Sequence, residues 1–228
     1  MKRFYKEVTV SEEPFRILLD GRVVKTPMRA ALTLPTQVLA EAVAEEWRGQ
    51  GDEINPHAMK LTKLANTAID RVAVMRDEVV SQIVAYANDT LCYRASFPPE
   101  LAQRQQAEWE PPLQWLAERY GVRLEARVGV THFTQDPETV AVLRGAVAAY
   151  DNFVLAALHN SATILASLTL TLALAEAHLS ATEAFALSEL DARFQAERWG
   201  QDEEAAKRAE GLLKELIAAE TFVRLASQ

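Results

Sequence analysis

The first third of the chain predicts a small sheet followed by helices. Apolar and polar residues alternate over positions 5–10, and two apolar runs, 15–19 and 22–25, flank Asp20-Gly21. Asp-Gly between apolar runs indicates a β-hairpin, because both turn positions need a positive φ. Apolar residues then recur at helical spacing in three segments, which span residues 36–50, 60–71 and 74–88.

The middle of the chain predicts helices with one strand among them. Residues 100–119 have a helical pattern that contains Pro111 and Pro112. Since each proline removes a backbone donor and clashes with the preceding turn, we expect a kink or two helices meeting there. Residues 122–128 alternate like a strand. A lone strand is not stable, so we expect this one to pair with the N-terminal sheet.

The longest apolar stretch, residues 152–175, carries no formal charge before Glu176. It is long enough to span about 30 Å of hydrocarbon, but it contains many polar residues and lacks basic or aromatic flanks. These features favour a buried core helix over a membrane span. Residues 167–174 alternate with the period of a strand. Because Leu and Ala favour helices and the whole segment is far longer than a strand, we predict helix.

Helix signals also mark the end of the chain. Ser180 and Glu183 form a capping box, and the helix that follows has its apolar stripe at Leu187, Leu190 and Phe194. We expect this helix to end at Gly200 and Asp202 to cap the last one.

Asp191 is the acidic residue whose position needs an explanation. It lies at the edge of the apolar stripe, with Arg198 on nearly the same line of the helix. A carboxylate there either pairs internally, with Arg198 or another arginine, or meets a partner molecule. Position alone favours the internal pair.

Together these elements predict an α+β protein with two domains. Residues 1–73 would form a small α/β domain, whose sheet residues 122–128 would join, and residues 74–228 a larger helical bundle of orthogonal helices. The balance of 24 basic and 32 acidic residues, a net charge of -8, argues against nucleic acid or an anionic membrane as partner. A single cysteine, Cys92, is typical of a reducing compartment. The N-terminus has no apolar stretch like that of a signal peptide.

The residues supply no visible catalytic chemistry. The nucleophile elbow, the phosphate-binding glycine loop and the zinc-protease helix motif are absent. The four histidines are scattered, so we expect neither a metal nor a cofactor. We expect Cys92 to be a packed residue rather than a catalytic thiol. A small cytoplasmic enzyme that uses carboxylates such as Asp70, Asp89 or Asp191 in an interdomain cleft remains the alternative.

Short motifs in a fixed order run along nearly the whole chain. They are Arg3-Phe4-Tyr5-Lys6, Leu19-Asp20-Gly21-Arg22 with Lys25-Thr26-Pro27, Leu34-Pro35-Thr36, Glu46-Trp47, residues 59–70, residues 89–94, residues 106–111, Ser167-Leu168, Leu190-Asp191 and residues 194–205. This ordered set resembles the assembly chaperones that bind the α subunit of the F1 part of ATP synthase. Glu110 and Ala166 depart from the family pattern, in which we expect Asp and Gly.

The resemblance implies a non-enzymatic chaperone without a cofactor, which holds free α subunit until the β subunit takes over the same interface. It also implies a bacterial, cytoplasmic protein, because the mitochondrial members carry an N-terminal targeting extension. We expect a monomer that binds neither nucleic acid nor membrane. Asp191 resembles an important acidic position of the family, and the expected partner-binding residues are Asp191, Phe194, Arg198, Trp199, Asp202 and Glu204.

Overall fold

The predicted hairpin forms at the start of the chain. In the computed structural model, which describes residues 1–228, the antiparallel strands β1 (Val8–Val10), β2 (Ile17–Leu19) and β3 (Arg22–Val23) form one sheet in that order. Asp20 and Gly21 make the turn between β2 and β3 with φ of 47° and 76°. The Asp20 carboxylate accepts hydrogen bonds from the backbone of Lys6 and Glu7, which ties the turn to the first strand.

Two helices and a π-helix, Ala68–Val72, complete the N-terminal part of the fold. The helices are α1 (Gln37–Arg48), which Thr36 caps, and α2 (Lys60–Thr67). The start of α2 has no side-chain cap of its own. Instead Glu46 of α1 accepts the backbone N–H groups of Leu61 and Thr62 at 2.7 and 2.8 Å. Burial raises the pKa of the Glu46 carboxyl, and these hydrogen bonds offset part of that effect.

The rest of the chain is almost entirely helical. Its short parallel strands β4 (Tyr93–Arg94) and β5 (Arg127–Val128) pair with each other. The helices are α3 (Arg76–Val84), α4 (Pro99–Tyr120), α5 (Pro137–Ala148), α6 (Asn152–Leu165), α7 (Leu168–Ala175), α8 (Ala181–Ser188), α9 (Leu190–Trp199) and α10 (Glu203–Ala226).

The chain divides into two compact units. One contains residues 1–79, 151–157 and 218–228, and the other contains residues 80–150 and 158–217. The mixture of small sheets and many helices confirms the α+β class. Whether residues 1–73 fold as a domain of their own stays a prediction.

The long apolar stretch is helical, but it is two helices rather than one. α6 ends at Leu165, Ala166 takes a φ of 48°, and Ser167 caps α7 by accepting the Leu170 N–H. All residues from Leu168 to Leu174 are buried, and α7 packs against α4 and α8. No helix of the chain is both long enough and apolar enough to cross a membrane.

Three other expectations are wrong. The strand near 122–128 consists of β5 alone and pairs with β4 instead of the N-terminal sheet. Of the two outcomes expected at Pro111 and Pro112, two separate helices is wrong, because α4 continues through both prolines; a kink there stays a prediction. The helix expected after Ser180 is two helices, because the chain turns at Glu189 between α8 and α9.

Candidate functional site

A groove of about 750 Å³ lies between α8, α9 and α10. Six of its lining residues are alanines, whose methyl groups reach only a short way from their helices and leave space. Trp199 stands at one end of α9 with 75% of its surface exposed. A large exposed aromatic residue beside an open apolar groove is typical of an interaction surface. The alanines that line the groove are Ala186, Ala192, Ala196, Ala205, Ala206 and Ala209.

The corner between α8 and α9 gives the groove its shape. The last turn of α8 has carbonyl groups without helical partners, and side chains from elsewhere bind them. The indole N–H of Trp109 on α4 donates to the Leu187 carbonyl at 2.9 Å. Arg193 of α9 donates to the Ala186 carbonyl at 2.8 Å. The corner is therefore held from α4 on one side and from α9 on the other.

Asp191 lies in the first turn of α9 and at the edge of the groove. One carboxylate oxygen accepts a hydrogen bond of 2.7 Å from the side-chain amide of Gln105. Gln105 is only 1% exposed, and its amide oxygen accepts the Ala95 N–H at 2.7 Å. That second bond fixes which end of the amide faces Asp191. A buried, neutral side chain thus orients the carboxylate without cancelling its charge.

The prediction that Asp191 forms an internal ion pair with an arginine is wrong. Arg198 lies 3.4 Å from Glu100, and its guanidinium stacks on the Phe194 ring at 4.6 Å. The partner that Asp191 has instead, Gln105, is 86 positions away in the sequence. Helical spacing can propose only neighbours on the same helix, so it could not point to Gln105.

The groove carries uncompensated negative charge. No lysine, arginine or histidine lies within 4 Å of the carboxylates of Glu189, Asp191 or Asp202, and all three residues line the groove. Arg193 also lines it, but its guanidinium points to the Ala186 carbonyl and to Glu108, 3.9 Å away. An acid near the start of each helix also agrees with the helix dipole.

The groove brings together half of the residues expected to bind a partner. Asp191, Trp199 and Asp202 line it. Phe194 is only 9% exposed and does not line the groove, so it belongs to the core rather than to the surface. Arg198 and Glu204 are exposed but lie outside the groove. Their roles in binding stay predictions.

Sequence reasoning missed the alanines, although they leave a signal. Ala192 and Ala196 are four positions apart on α9, and Ala205 and Ala209 are four apart on α10. Residues at this spacing share one face of a helix. Small residues on an accessible face of two consecutive helices indicate a shallow surface, which polarity patterns overlook because alanine occurs everywhere in helices.

The carboxylates of the alternative enzyme hypothesis have local structural partners. Asp70 accepts hydrogen bonds from the Thr26 hydroxyl and the Met28 N–H, at 2.6 and 2.9 Å. Asp89 is fully buried and accepts the N–H groups of Leu91 and Thr169, at 3.0 and 2.8 Å. No group of three or more His, Cys, Asp or Glu residues could hold a metal ion.

Comparisons with known proteins show which family this chain is similar to. The ATP12 chaperone protein model matches residues 2–117, about half of the chain. The mitochondrial protein atp12 of Schizosaccharomyces pombe is 25% identical over an alignment of 219 residues, and the match covers 90% of this chain and 75% of the relative.

Two solved structures are similar over nearly the whole chain. The crystal structure of Atp12 from Paracoccus denitrificans has a TM-score of 0.94 at 40% identity and covers 99% of this chain and 98% of its own. Atu1473 from Agrobacterium tumefaciens has a TM-score of 0.95 at 38% identity and covers 98% and 85%. The chain therefore belongs to the ATP12 chaperone family.

Proposed function

We propose that this chain is a chaperone for assembly of the F1 sector of ATP synthase. It binds the free α subunit until the β subunit takes the place of the chaperone. The observation that carries the proposal is the groove between α8, α9 and α10, with Trp199 exposed and Asp191 without a cationic partner, in a member of the ATP12 family. A subunit interface that is apolar in the assembled complex needs such a cover while its partner is missing.

The proposed mechanism is competition between surfaces rather than catalysis. The chaperone covers the α surface that later contacts β, and β displaces it by binding that surface more tightly. No nucleotide is hydrolysed in this cycle. We place the protein in the bacterial cytoplasm as a monomer, and its similarity to the proteins from Paracoccus and Agrobacterium supports the bacterial part of that placement.

Separate pull-downs of purified α and β subunits test the function. We expect the wild-type chain to hold α and not β. Asp191→Lys reverses a charge at the edge of the groove and should weaken α binding at least tenfold, because a like charge or a lost ion pair at an interface has effects of this size. Trp199→Ala, which removes the exposed aromatic surface, should weaken it similarly.

Gln114→Lys is the matched control, since Gln114 is exposed on α4 and does not line the groove. It should hold α as well as the wild type does. Failure of the wild-type chain to bind α, together with a normal yield of F1 in a strain that lacks the chain, would end the proposal. Normal binding by folded Asp191→Lys and Trp199→Ala would remove the groove from it.

A further inference from the structure

The walls of the groove between α8, α9 and α10 are mainly helical. Most backbone N–H and C=O groups of these helices are bonded within the helix, and the only lining residues outside a helix are Glu189 and the connection 200–202. An extended segment laid in the groove would find no strand edge with which to share main-chain hydrogen bonds. A helix brings its own backbone bonds and offers only side chains. The alanine surface favours such an occupant, because it leaves space for the larger side chains of an opposing helix.

The length of the groove limits the length of its occupant. On α9 the lining residues run from Asp191 to Trp199, and on α10 from Ala205 to Leu213. Eight steps along a helix are about 12 Å, or slightly more than two turns. An opposing helix would therefore contact the groove with about two turns, through apolar side chains at positions i, i+3 or i+4, and i+7.

The acidic residues of the groove favour basic residues on the helix that binds there. Glu189 and Asp191 lie at the beginning of α9, and Asp202 lies beyond its end. None of these carboxylates has a cationic partner, and Gln105 holds Asp191 in place. Asp202 uses one oxygen to cap α10 through the Ala205 N–H, which leaves the other available. Basic residues about two turns apart would meet acids at both ends of the groove.

We infer that the groove binds a two-turn amphipathic helix of the partner, with an apolar stripe between lysine or arginine residues seven or eight positions apart. This inference rests on the proposed function for the identity of the partner as the F1 α subunit. Its chemistry, a basic amphipathic helix, follows from the groove alone.

Crosslinking of the complex between the full chain and α subunit locates the occupant. Cys92 is fully buried, and burial raises the pKa of its thiol, so an added surface cysteine reacts alone. Gln195→Cys places a thiol-linked benzophenone in the groove, and Gln114→Cys is the control outside it. We expect the groove probe to mark a helical segment of α with the stated basic spacing. Crosslinks to an acidic or extended segment, or to a second copy of this chain, would overturn the inference.

Designed peptides test the groove without the α subunit. A helical peptide with a leucine stripe and lysines seven positions apart should bind the wild-type chain at least tenfold more tightly than the same peptide with glutamates in place of the lysines. Glu189→Gln combined with Asp191→Asn should reduce that preference, because Asp202 alone would remain to meet the basic residues, and added salt should reduce it further.

The two experiments separate failure of this inference from failure of the proposed function. Equal affinity for the lysine and glutamate peptides would overturn the inference, even if the chain holds α. A preference for lysine that the double variant reduces supports it, even if the chain does not hold α.

Discussion

Ala166 and Ala177 lie on either side of α7, and both have left-handed backbone conformations with φ of 48° and 54°. Alanine is strained there, because its Cβ comes too close to the following carbonyl oxygen, whereas glycine adopts this conformation freely. The family pattern indicated glycine at position 166, and the structure supplies the reason. The departure from the family pattern at Ala166 therefore lies where α6 ends and α7 begins, and the sequence pattern did not predict that the helix is interrupted there.

Ala166→Gly should stabilise the protein by about 0.5–1 kcal/mol, since the relief of strain exceeds the extra freedom of glycine in the unfolded chain. Urea unfolding of both proteins measures the difference. Ala107→Gly is the control, because Ala107 is exposed within α4 and glycine there should destabilise by about 1 kcal/mol. A loss of stability in Ala166→Gly as large as that in the control would contradict the assigned backbone conformation.

The candidate site could be predicted only in part from single residues. The resemblance to the family pointed to Asp191, Trp199 and Asp202, which line the groove. It could not place Gln105, whose contact with Asp191 depends on the packing of α4 against α9. Long-range partners of this kind are set by tertiary structure, and no local pattern contains them.

Helix α7 shows why the period of apolar residues can indicate the wrong secondary structure. Residues 167–174 alternate as a strand would, but every residue from Leu168 to Leu174 is buried. A helix buried on all sides has no polar face, so its sequence needs no helical period. Length and composition, which favoured helix, were the better guide. In α4 the helix continues through Pro111 and Pro112, although prolines are unfavourable inside a helix and two helices were one of the outcomes expected there.

Asp89 anchors the start of α7 from a distant part of the chain. Its carboxylate accepts the Thr169 N–H of α7 and the Leu91 N–H of its own segment. Asp89→Ala would leave both buried donors without acceptors and should destabilise the protein by about 3 kcal/mol at neutral pH. Asp136→Ala removes an exposed cap that accepts the Thr139 N–H of α5 and should cost about 1 kcal/mol. Equal losses in urea unfolding would contradict the anchoring role.

The pH dependence of that loss has a definite sign. Burial raises the pKa of Asp89 above its value in the unfolded chain, although hydrogen bonds from Thr169 and Leu91 offset part of the effect. The folded protein therefore binds this proton more tightly than the unfolded chain. The contribution of Asp89 to the free energy of unfolding is therefore fully present below about pH 4, near the pKa of an aspartate in the unfolded chain. It declines as the pH rises through the pKa of Asp89 in the folded protein. The stability difference between wild type and Asp89→Ala should shrink over that range, and a difference that grows with pH would contradict it.

At the scale of the whole molecule, the sequence predicted the fold class and the family but not how distant segments associate. Residues 122–128 were expected in the N-terminal sheet, because a strand needs a neighbour. The neighbour is β4, a two-residue strand too short to be recognised from its pattern. Likewise, residues 151–157 and 218–228 belong to the unit that contains the N-terminus, which no composition change along the chain indicates.

The groove, too, could not be predicted from sequence patterns. It exists only because the turn at Glu189 sets α9 against α8, and Gly200 turns the chain from α9 into α10. Its three helices are consecutive in the sequence, so the candidate surface is local although the bond that orients Asp191 is not. A partner that binds there should affect one continuous stretch of the chain within residues 182–213.

Hydrogen–deuterium exchange of the chain, free and in complex with α subunit, tests that central claim most directly. The backbone amides of residues 189–206 should exchange more slowly in the complex, while those of the N-terminal sheet, residues 8–23, should be unchanged. The Asp191→Lys variant should lose this protection under the same conditions. Protection confined to the N-terminal sheet, with no change over residues 189–206, would contradict the assignment of the groove as the surface that holds the α subunit.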